Sequence, residues 1–107
     1  VPRPHKSAEY EIYFSTSQAA KSWRDLLATR RVDLVDAWEF LTTTPLNRTA
    51  LNYPLKGELA QITKGGQEHH RWQLKLSPTH GARIWYFVVD RKVMIEAVHT
   101  AHPNQTK

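Results

Sequence analysis

The segment "RWQLKLSPTHGARIWYFVVDRKVMIEAVHT", residues 71–100, decides the fold class of this chain. Apolar and polar side chains alternate along its first part, which is the period of a strand with one buried face. Two turn signals, "SPTHG" and the pair Asp90–Arg91, divide the segment. It therefore predicts an antiparallel meander of three strands, at residues 71–77, 82–89 and 93–99.

The residues before this meander predict one more strand and two helices. Alternation of Tyr10, Ile12 and Phe14 with polar neighbours indicates a strand at residues 10–14. Hydroxyl residues that can cap a helix follow, and a helix is predicted at residues 18–29. A second helix carries an apolar stripe and ends before Pro45, a residue that stops helices; the stripe consists of Leu34, Val35, Trp38 and Leu41.

The remaining residues, 46–70, mix polarity without a clean period, so they are interpreted as a connection with a short ordered piece at residues 55–59. The predicted fold class is α+β. An N-terminal strand and a helical hairpin pack on a curved, mainly antiparallel sheet of four strands. Residues 1–107 form one domain, and residues 1–8 are expected to be a flexible leader.

Composition narrows the classes of function. The chain has 107 residues, a formal net charge of +5 and no cysteine. Without cysteine it has neither a disulfide framework nor a thiolate for catalysis or zinc binding, and a cytoplasmic location is expected. The sequence has no apolar run long enough to span a membrane. The positive charge points to a polyanionic partner, and nucleic acid is the first candidate.

Alternation along the strands also predicts which side chains share the face that the helices leave open. If the helices cover Leu74 and Ile84, the opposite face carries Gln73, Lys75, Arg83 and Trp85. A two-residue turn at Asp90–Arg91 would pair Val89 with Lys92. The same ladder sets Trp85 against Glu96 and Arg83 against Val98, with Thr100 and His102 continuing that row. Alternatively, Lys75 and Arg83 are only solvated positions of a one-sided sheet, and Trp85 only covers it or faces a partner chain.

Several motifs resemble the RelE/ParE superfamily of toxins from toxin–antitoxin systems, including its RelE and HigB branches. They are "FSTSQAAKSWRDLL", "YPLKGEL", "RWQLKLSPTHGARIWYFV" and "KVMIEAVHT", and the resemblance extends over nearly the whole chain, from about Tyr10 to His102. The resemblance implies a small basic ribonuclease that cleaves messenger RNA in the ribosomal A site and is neutralised by a cognate antitoxin. It implies no metal or other cofactor, because the 2′-hydroxyl attacks the adjacent phosphate.

The resemblance also assigns catalytic roles. Lys75 matches the second lysine of the family's Lys-x-Lys strand, and Arg83 matches the arginine that contacts the scissile phosphate. Gln73 stands where the family has its first lysine. The basic and tyrosine residues near the carboxyl end of RelE are missing here, whereas HigB-like members place a histidine in this region. His102 is therefore the candidate acid or base. By alternation, His99 is expected to point toward the helices as a buried, hydrogen-bonded side chain.

Further side chains are predicted to contact RNA: Arg71, Gln73, His80, Trp85 and Lys107. The neighbouring His69 and His70 are interpreted as an exposed basic loop with a mainly electrostatic effect. A metal site made of His80, His99 and His102 is a weaker alternative, since the spacing offers neither cysteine nor an ordered carboxylate. At the level of function, the alternatives are a ParE-like inhibitor of DNA gyrase and a non-catalytic, protein-binding relative of the same fold.

Overall fold

A computed structural model describes residues 9–78 and 81–100 of the chain. The elements follow one another as β1 (Glu11–Phe14), α1 (Ser17–Leu27), α2 (Arg31–Thr43), β2 (Asn52–Pro54), a 3-10 turn (Gly57–Leu59), β3 (Gln61–Lys64), β4 (Gln67–His70), β5 (Trp72–Lys75), β6 (Arg83–Val89) and β7 (Lys92–His99). The α+β class and the order of the predicted elements are confirmed. No helix in the described part of the chain is both long and apolar enough to cross a membrane.

The main sheet contains five strands in the order β1-β7-β6-β5-β2. Strands β5, β6 and β7 form the predicted antiparallel meander, and β1 adds to β7 in parallel. The prediction of four strands is wrong by one, because β2 pairs with β5 at the far edge. This strand has only three residues and ends at Pro54, so it is too short to produce a recognisable alternation.

A second correction concerns residues 61–70, which were interpreted as part of a connection. They form a separate two-stranded sheet, β3 with β4, closed by Gly65 and Gly66, both at positive φ. Most of its side chains are exposed on both faces, so apolar residues do not alternate with polar ones. The Gly-Gly pair was the usable signal, since glycine adopts the positive φ of a tight hairpin without strain.

Helix α1 begins where the hydroxyl residues predict, because Thr16 Oγ1 accepts a hydrogen bond of 3.1 Å from the amide of Ala19. In α2 the buried stripe consists of Leu34, Ala37 and Leu41. The predicted stripe also included Val35 and Trp38, yet these are 57% and 42% exposed. Position 37 completes the apolar face with a small alanine, which a search for large side chains overlooks.

The core lies between the helices and one face of the main sheet. Its sheet residues include Leu74, Ile84, Tyr86, Val93 and Ile95, all less than 10% exposed. This is the face that alternation assigned to the helices, and that prediction is confirmed. Within the described residues, no helix packs on the opposite face of β5, β6 and β7. This face carries the candidate site and is called the site face below.

Candidate functional site at the end of the β6–β7 ladder

The ladder between β6 and β7 changes register halfway along. Next to the turn, Val89 pairs with Lys92 as predicted, and the register holds as far as Tyr86 opposite Ile95. The next pair is Trp85 with Ala97, so Glu96 is one extra residue in β7. This arrangement is a β-bulge. The predicted pairs of Trp85 with Glu96 and of Arg83 with Val98 are therefore wrong.

Helix α1 supplies the hydrogen bonds that stabilise this bulge. The hydroxyl of Thr16, which caps α1, donates a bond of 2.8 Å to the carbonyl oxygen of Glu96. Two residues later, the side-chain amide of Gln18 donates to the carbonyl oxygen of Val98 at 3.1 Å. Because an extra residue interrupts ladder hydrogen bonding, these side-chain donors satisfy oxygens in and beside the bulge.

The bulge reverses the alternation of the last three residues of β7. Val98 pairs with Ile84 in the core, and His99 lies directly opposite Arg83 on the site face. The prediction that His99 points toward the helices is wrong, since one extra residue moves every later side chain to the other face. His99 Nε2 is buried and has no hydrogen-bond partner within residues 9–78 and 81–100, so the expected hydrogen bond is also not found at this atom.

Lys75 and Arg83 lie directly opposite each other on β5 and β6, which confirms that the two cations are neighbours. With His99 across from Arg83, these three residues are called the basic cluster. The ammonium of Lys75 lies 5.7 Å from the ring centroid of Tyr53. Arg83 is 8% exposed, and its Nε has no hydrogen-bond partner in the described part of the chain. The cluster thus combines a largely buried guanidinium, an ammonium and an imidazole.

The floor beside the basic cluster is a chain of hydrogen bonds between side chains. Trp85 Nε1 donates to Gln73 Oε1 at 2.8 Å, and Gln73 Nε2 donates to Tyr53 Oη at 2.9 Å. Gln73 is 1% and Trp85 is 6% exposed. Both were predicted to contact RNA, and the structure places their polar groups in bonds to neighbouring side chains. In these bonds, Gln73 and Trp85 hold the surface from which Lys75 and Arg83 extend.

Arg71 and Glu96 form an ion pair over this floor. Arg71 Nε lies 2.9 Å from Glu96 Oε1, and Arg71 Nη2 donates a hydrogen bond of 3.3 Å to Oε2. The guanidinium carbon of Arg71 lies 5.3 Å from the ring centroid of Trp85. Their side chains are only 14% and 10% exposed. Arg71 was predicted to bind RNA, yet in this structure its charge is compensated by a carboxylate.

The electrostatic setting of His99 favours a neutral imidazole. Burial lowers its pKa below the ordinary 6.5, and the positive charges of Arg83 and then Arg71 lower it further. The ring also contacts Trp85 edge to face, with centroids 4.4 Å apart. A neutral histidine has one ring nitrogen that accepts a proton, so His99 is suited to act as a base near neutral pH.

The remaining predicted site residues, His80, His102 and Lys107, lie outside the described residues. Two of the three histidines of the alternative metal site are therefore outside them as well. Within the part of the chain that the structure describes, no three His, Cys, Asp or Glu side chains come together to hold a metal ion.

Sequence reasoning missed one residue that shapes this site, Tyr53, and misplaced another, Glu96. Glu96 was placed one position out of register, and its pairing depends on the bulge. Tyr53 lies in β2, in a segment interpreted as a connection, and reaches the site face because it pairs with Gln73. An aromatic residue next to Pro54 is the only local signal of an edge strand there.

Comparison with known proteins gives similarity in three dimensions alone. No family model matches the chain, and no curated protein matches it by sequence. A chain of the archaeal RelE–RelB complex from Pyrococcus horikoshii OT3 has a TM-score of 0.61 at 15% identity, with 90% of this chain and 98% of that one covered.

Two further solved structures are similar. The heterotetrameric YoeB–YefM toxin–antitoxin complex from Staphylococcus aureus contains a chain with a TM-score of 0.57 at 17% identity, covering 85% of this chain and 95% of that one. A chain of the E. coli DinJ–YafQ toxin–antitoxin complex has a TM-score of 0.56 at 20% identity, with 86% of this chain and 92% of that one covered. The similarity confirms that this chain has the RelE-like fold that the sequence motifs imply.

Proposed function

We propose that this chain is the toxin of a toxin–antitoxin module and that it cleaves messenger RNA in the ribosomal A site. The observation that carries the proposal is the basic cluster, in which Lys75, Arg83 and His99 meet at paired positions of three adjacent strands. The RelE-like fold supports it, because the sequence motifs resemble a superfamily whose ribonucleases use a lysine and an arginine at the matching positions. The cytoplasm is the compartment where such a substrate occurs.

The proposed reaction is a transfer within the RNA strand and needs no metal ion. The 2′-oxygen forms a bond to the adjacent phosphorus, the bond from phosphorus to the 5′-oxygen breaks, and the products are a cyclic phosphate and a 5′-hydroxyl. A base takes the proton of the 2′-hydroxyl, and an acid gives one to the 5′-oxygen. Negative charge develops on the phosphate oxygens, where Arg83 and Lys75 stabilise it.

Two imidazoles divide the proton transfers in this proposal. His99 faces Arg83 and has a lowered pKa, so it is neutral and accepts the proton of the 2′-hydroxyl. His102, the residue that matches the histidine of HigB-like members, acts as the acid. Glu96 lies on the same strand but is held by Arg71, and therefore leaves the charge of Arg83 available for phosphate.

In vitro translation tests this proposal. We expect transcript cleavage that depends on translating ribosomes, persists in EDTA, leaves 2′,3′-cyclic phosphate ends and is lost in Arg83→Ala and His102→Ala. Arg24→Ala on the exposed face of α1 is the matched control, and circular dichroism establishes that each variant folds. Mapping cut sites on translated and naked RNA defines the role of the ribosome. Intact transcripts together with stabilised DNA cleavage complexes of gyrase would instead identify a ParE-like inhibitor.

We also propose a cognate antitoxin whose acidic segment covers Lys75 and Arg83. Two of the similar folds were solved in complexes described as toxin–antitoxin, which supports a protein partner for this chain. The partner's carboxylates would pair with the same cations that hold the scissile phosphate. A structure of the complex in which both side chains stay open, with the carboxyl-terminal tail undisplaced, would contradict this proposal.

A further inference from the structure

The β3–β4 hairpin covers part of the site face, away from the basic cluster. His69 of β4 stacks on Phe87 of β6, with ring centroids 4.8 Å apart and planes inclined by 17°. Phe87 is only 2% exposed as a result. The hairpin is therefore packed against the main sheet through an aromatic pair, and it forms one wall of a groove along β6 and β7.

This hairpin groove has a volume of about 350 Å³ and a basic, partly apolar lining. Lys64 projects from the hairpin wall and Lys92 from the first position of β7, and both residues are exposed. Phe87 and Met94, a directly paired couple, form the floor. Among the described residues that line the groove, two are lysines and none is acidic. Glu11 of β1 is the register partner of Lys92 and lies outside this lining, so a polyanion meets two ammonium groups in the groove and one carboxylate at its edge.

The hairpin groove lies on the same side of β6 as the basic cluster. Arg83, Trp85 and Phe87 alternate along β6 and face the same side, because each pairs with a site-face residue of β7. Arg83 and Phe87 are four residues apart, which corresponds to about 13 Å along a strand. A nucleic acid strand held at Arg83 would reach the groove within a few nucleotides by passing over the Arg71–Glu96 ion pair, which covers Trp85.

We propose that the hairpin groove binds the single-stranded RNA that flanks the scissile phosphate, with Lys64 and Lys92 contacting its backbone. The inference rests on the proposed ribonuclease function and adds a second binding site to it. Proteins that bind single strands combine cationic grooves with aromatic surfaces; here the two lysines supply the cations and the half-buried ring of His69 the aromatic surface, since Phe87 is covered. It supplies affinity and register along the message, whereas the basic cluster supplies the chemistry.

The test measures RNA binding separately from cleavage. Fully 2′-deoxy-substituted oligonucleotides lack the attacking hydroxyl, so they bind without being cut. We expect Lys64→Ala/Lys92→Ala to weaken binding of a twelve-nucleotide strand about tenfold and to reduce the slope of log K against log salt by about 1.4, since each single-strand phosphate contact contributes about 0.7. Binding of a trinucleotide, which fills only the basic cluster, should not change.

The matched control is Lys21→Ala/Arg24→Ala, which removes the same charge from the exposed face of α1 on the other side of the sheet. Equal affinities of the two double variants for the long strand would overturn the groove proposal even if the native protein cleaves transcripts. The groove proposal would also be overturned if Lys64→Ala/Lys92→Ala lost only the binding of the antitoxin. A selective loss of long-strand affinity in a protein that cleaves nothing would support the groove and overturn the ribonuclease.

Discussion

The register of the β6–β7 ladder is fixed by local residues at one end and by distant contacts at the other. At the turn end, Asp90 adopts a φ of 57° and Val89 pairs with Lys92, as a two-residue turn requires. At the far end, the extra residue Glu96 shifts the register by one and brings His99 opposite Arg83. The turn end is governed by four consecutive residues, and the far end by contacts with Thr16 and Arg71, which lie 80 and 25 positions away.

This difference in register determines which side chain of β7 faces Arg83. In a regular ladder, Val98 would face Arg83 and the imidazole of His99 would turn into the core. The bulge instead brings His99 to the site face, opposite Arg83 and in contact with Trp85. Bulges recur beside active sites for this reason, since they redirect a side chain without changing the rest of the strand.

The largest effect is expected from removing the imidazole that the bulge redirects. His99→Phe keeps an aromatic ring against Trp85 but has no nitrogen to accept a proton. We expect cleavage in a translation assay to fall by a factor on the order of 10² to 10⁴, the usual contribution of a general base, with thermal stability nearly unchanged.

His70→Phe is the control for this experiment, because His70 is an exposed histidine on the hairpin. Full activity of His99→Phe, alongside lost activity of His102→Ala, would assign the imidazole chemistry to His102 alone and remove the functional meaning of the bulge.

A smaller effect is expected from breaking the ion pair beside the bulge. Arg71→Met leaves the carboxylate of Glu96 buried without its partner, which should lower the free energy of unfolding by about 3 kcal/mol. Urea denaturation measures it. Arg71→Met/Glu96→Leu removes both charges and should recover most of the loss. If the single variant is as stable as the native chain, the pair does not stabilise this end of the ladder.

Removing the cap of α1 is expected to lower the stability less than breaking the Arg71–Glu96 ion pair does. Thr16→Val removes the hydroxyl that accepts from Ala19 and donates to the carbonyl of Glu96, so we expect a loss of about 1 to 2 kcal/mol of stability. Thr16→Ser keeps the hydroxyl and should stay within about 0.5 kcal/mol of the native chain. Equal stabilities of the valine and serine variants would show that the bulge does not depend on this hydroxyl.

The smallest effect is expected from pH. The pKa of His99 is lowered in the folded state by burial, then by Arg83 and Arg71, so the unfolded chain binds more protons as the pH falls below 6.5. Stability is therefore complete above that pH and decreases with acidification until the folded-state pKa has been passed. The difference between the urea denaturation midpoints at about pH 7.5 and about pH 5.5 measures this loss of stability. His99→Gln should reduce the difference between the two midpoints; an unchanged difference in this variant would contradict the assignment.

Much of the fold was accessible from the sequence because its signals are local. Alternation in residues 72–76 and 82–88 identified the core face of the sheet, and the hydroxyl residues at positions 15–17 and Pro45 marked where the helical region begins and ends. The paired positions of Lys75 and Arg83 followed from one short turn. The β3–β4 hairpin was missed because neither of its faces is apolar, and β2 because it has only three residues.

The sequence by itself determined the α+β architecture, the basic character of the chain and the neighbouring cations on β5 and β6, since each depends on periodicity or on residues close in the chain. Only the tertiary structure decided which imidazole faces Arg83, which guanidinium is neutralised by Glu96, and what covers Phe87. The first two outcomes depend on one extra residue in β7, whose hydrogen bond and ion pair come from the cap of α1 and from the residue before β5. The third depends on the β3–β4 hairpin, which packs His69 on Phe87. Contacts between distant segments leave no periodic trace in the sequence, because their geometry exists only after the sheet and helices have packed.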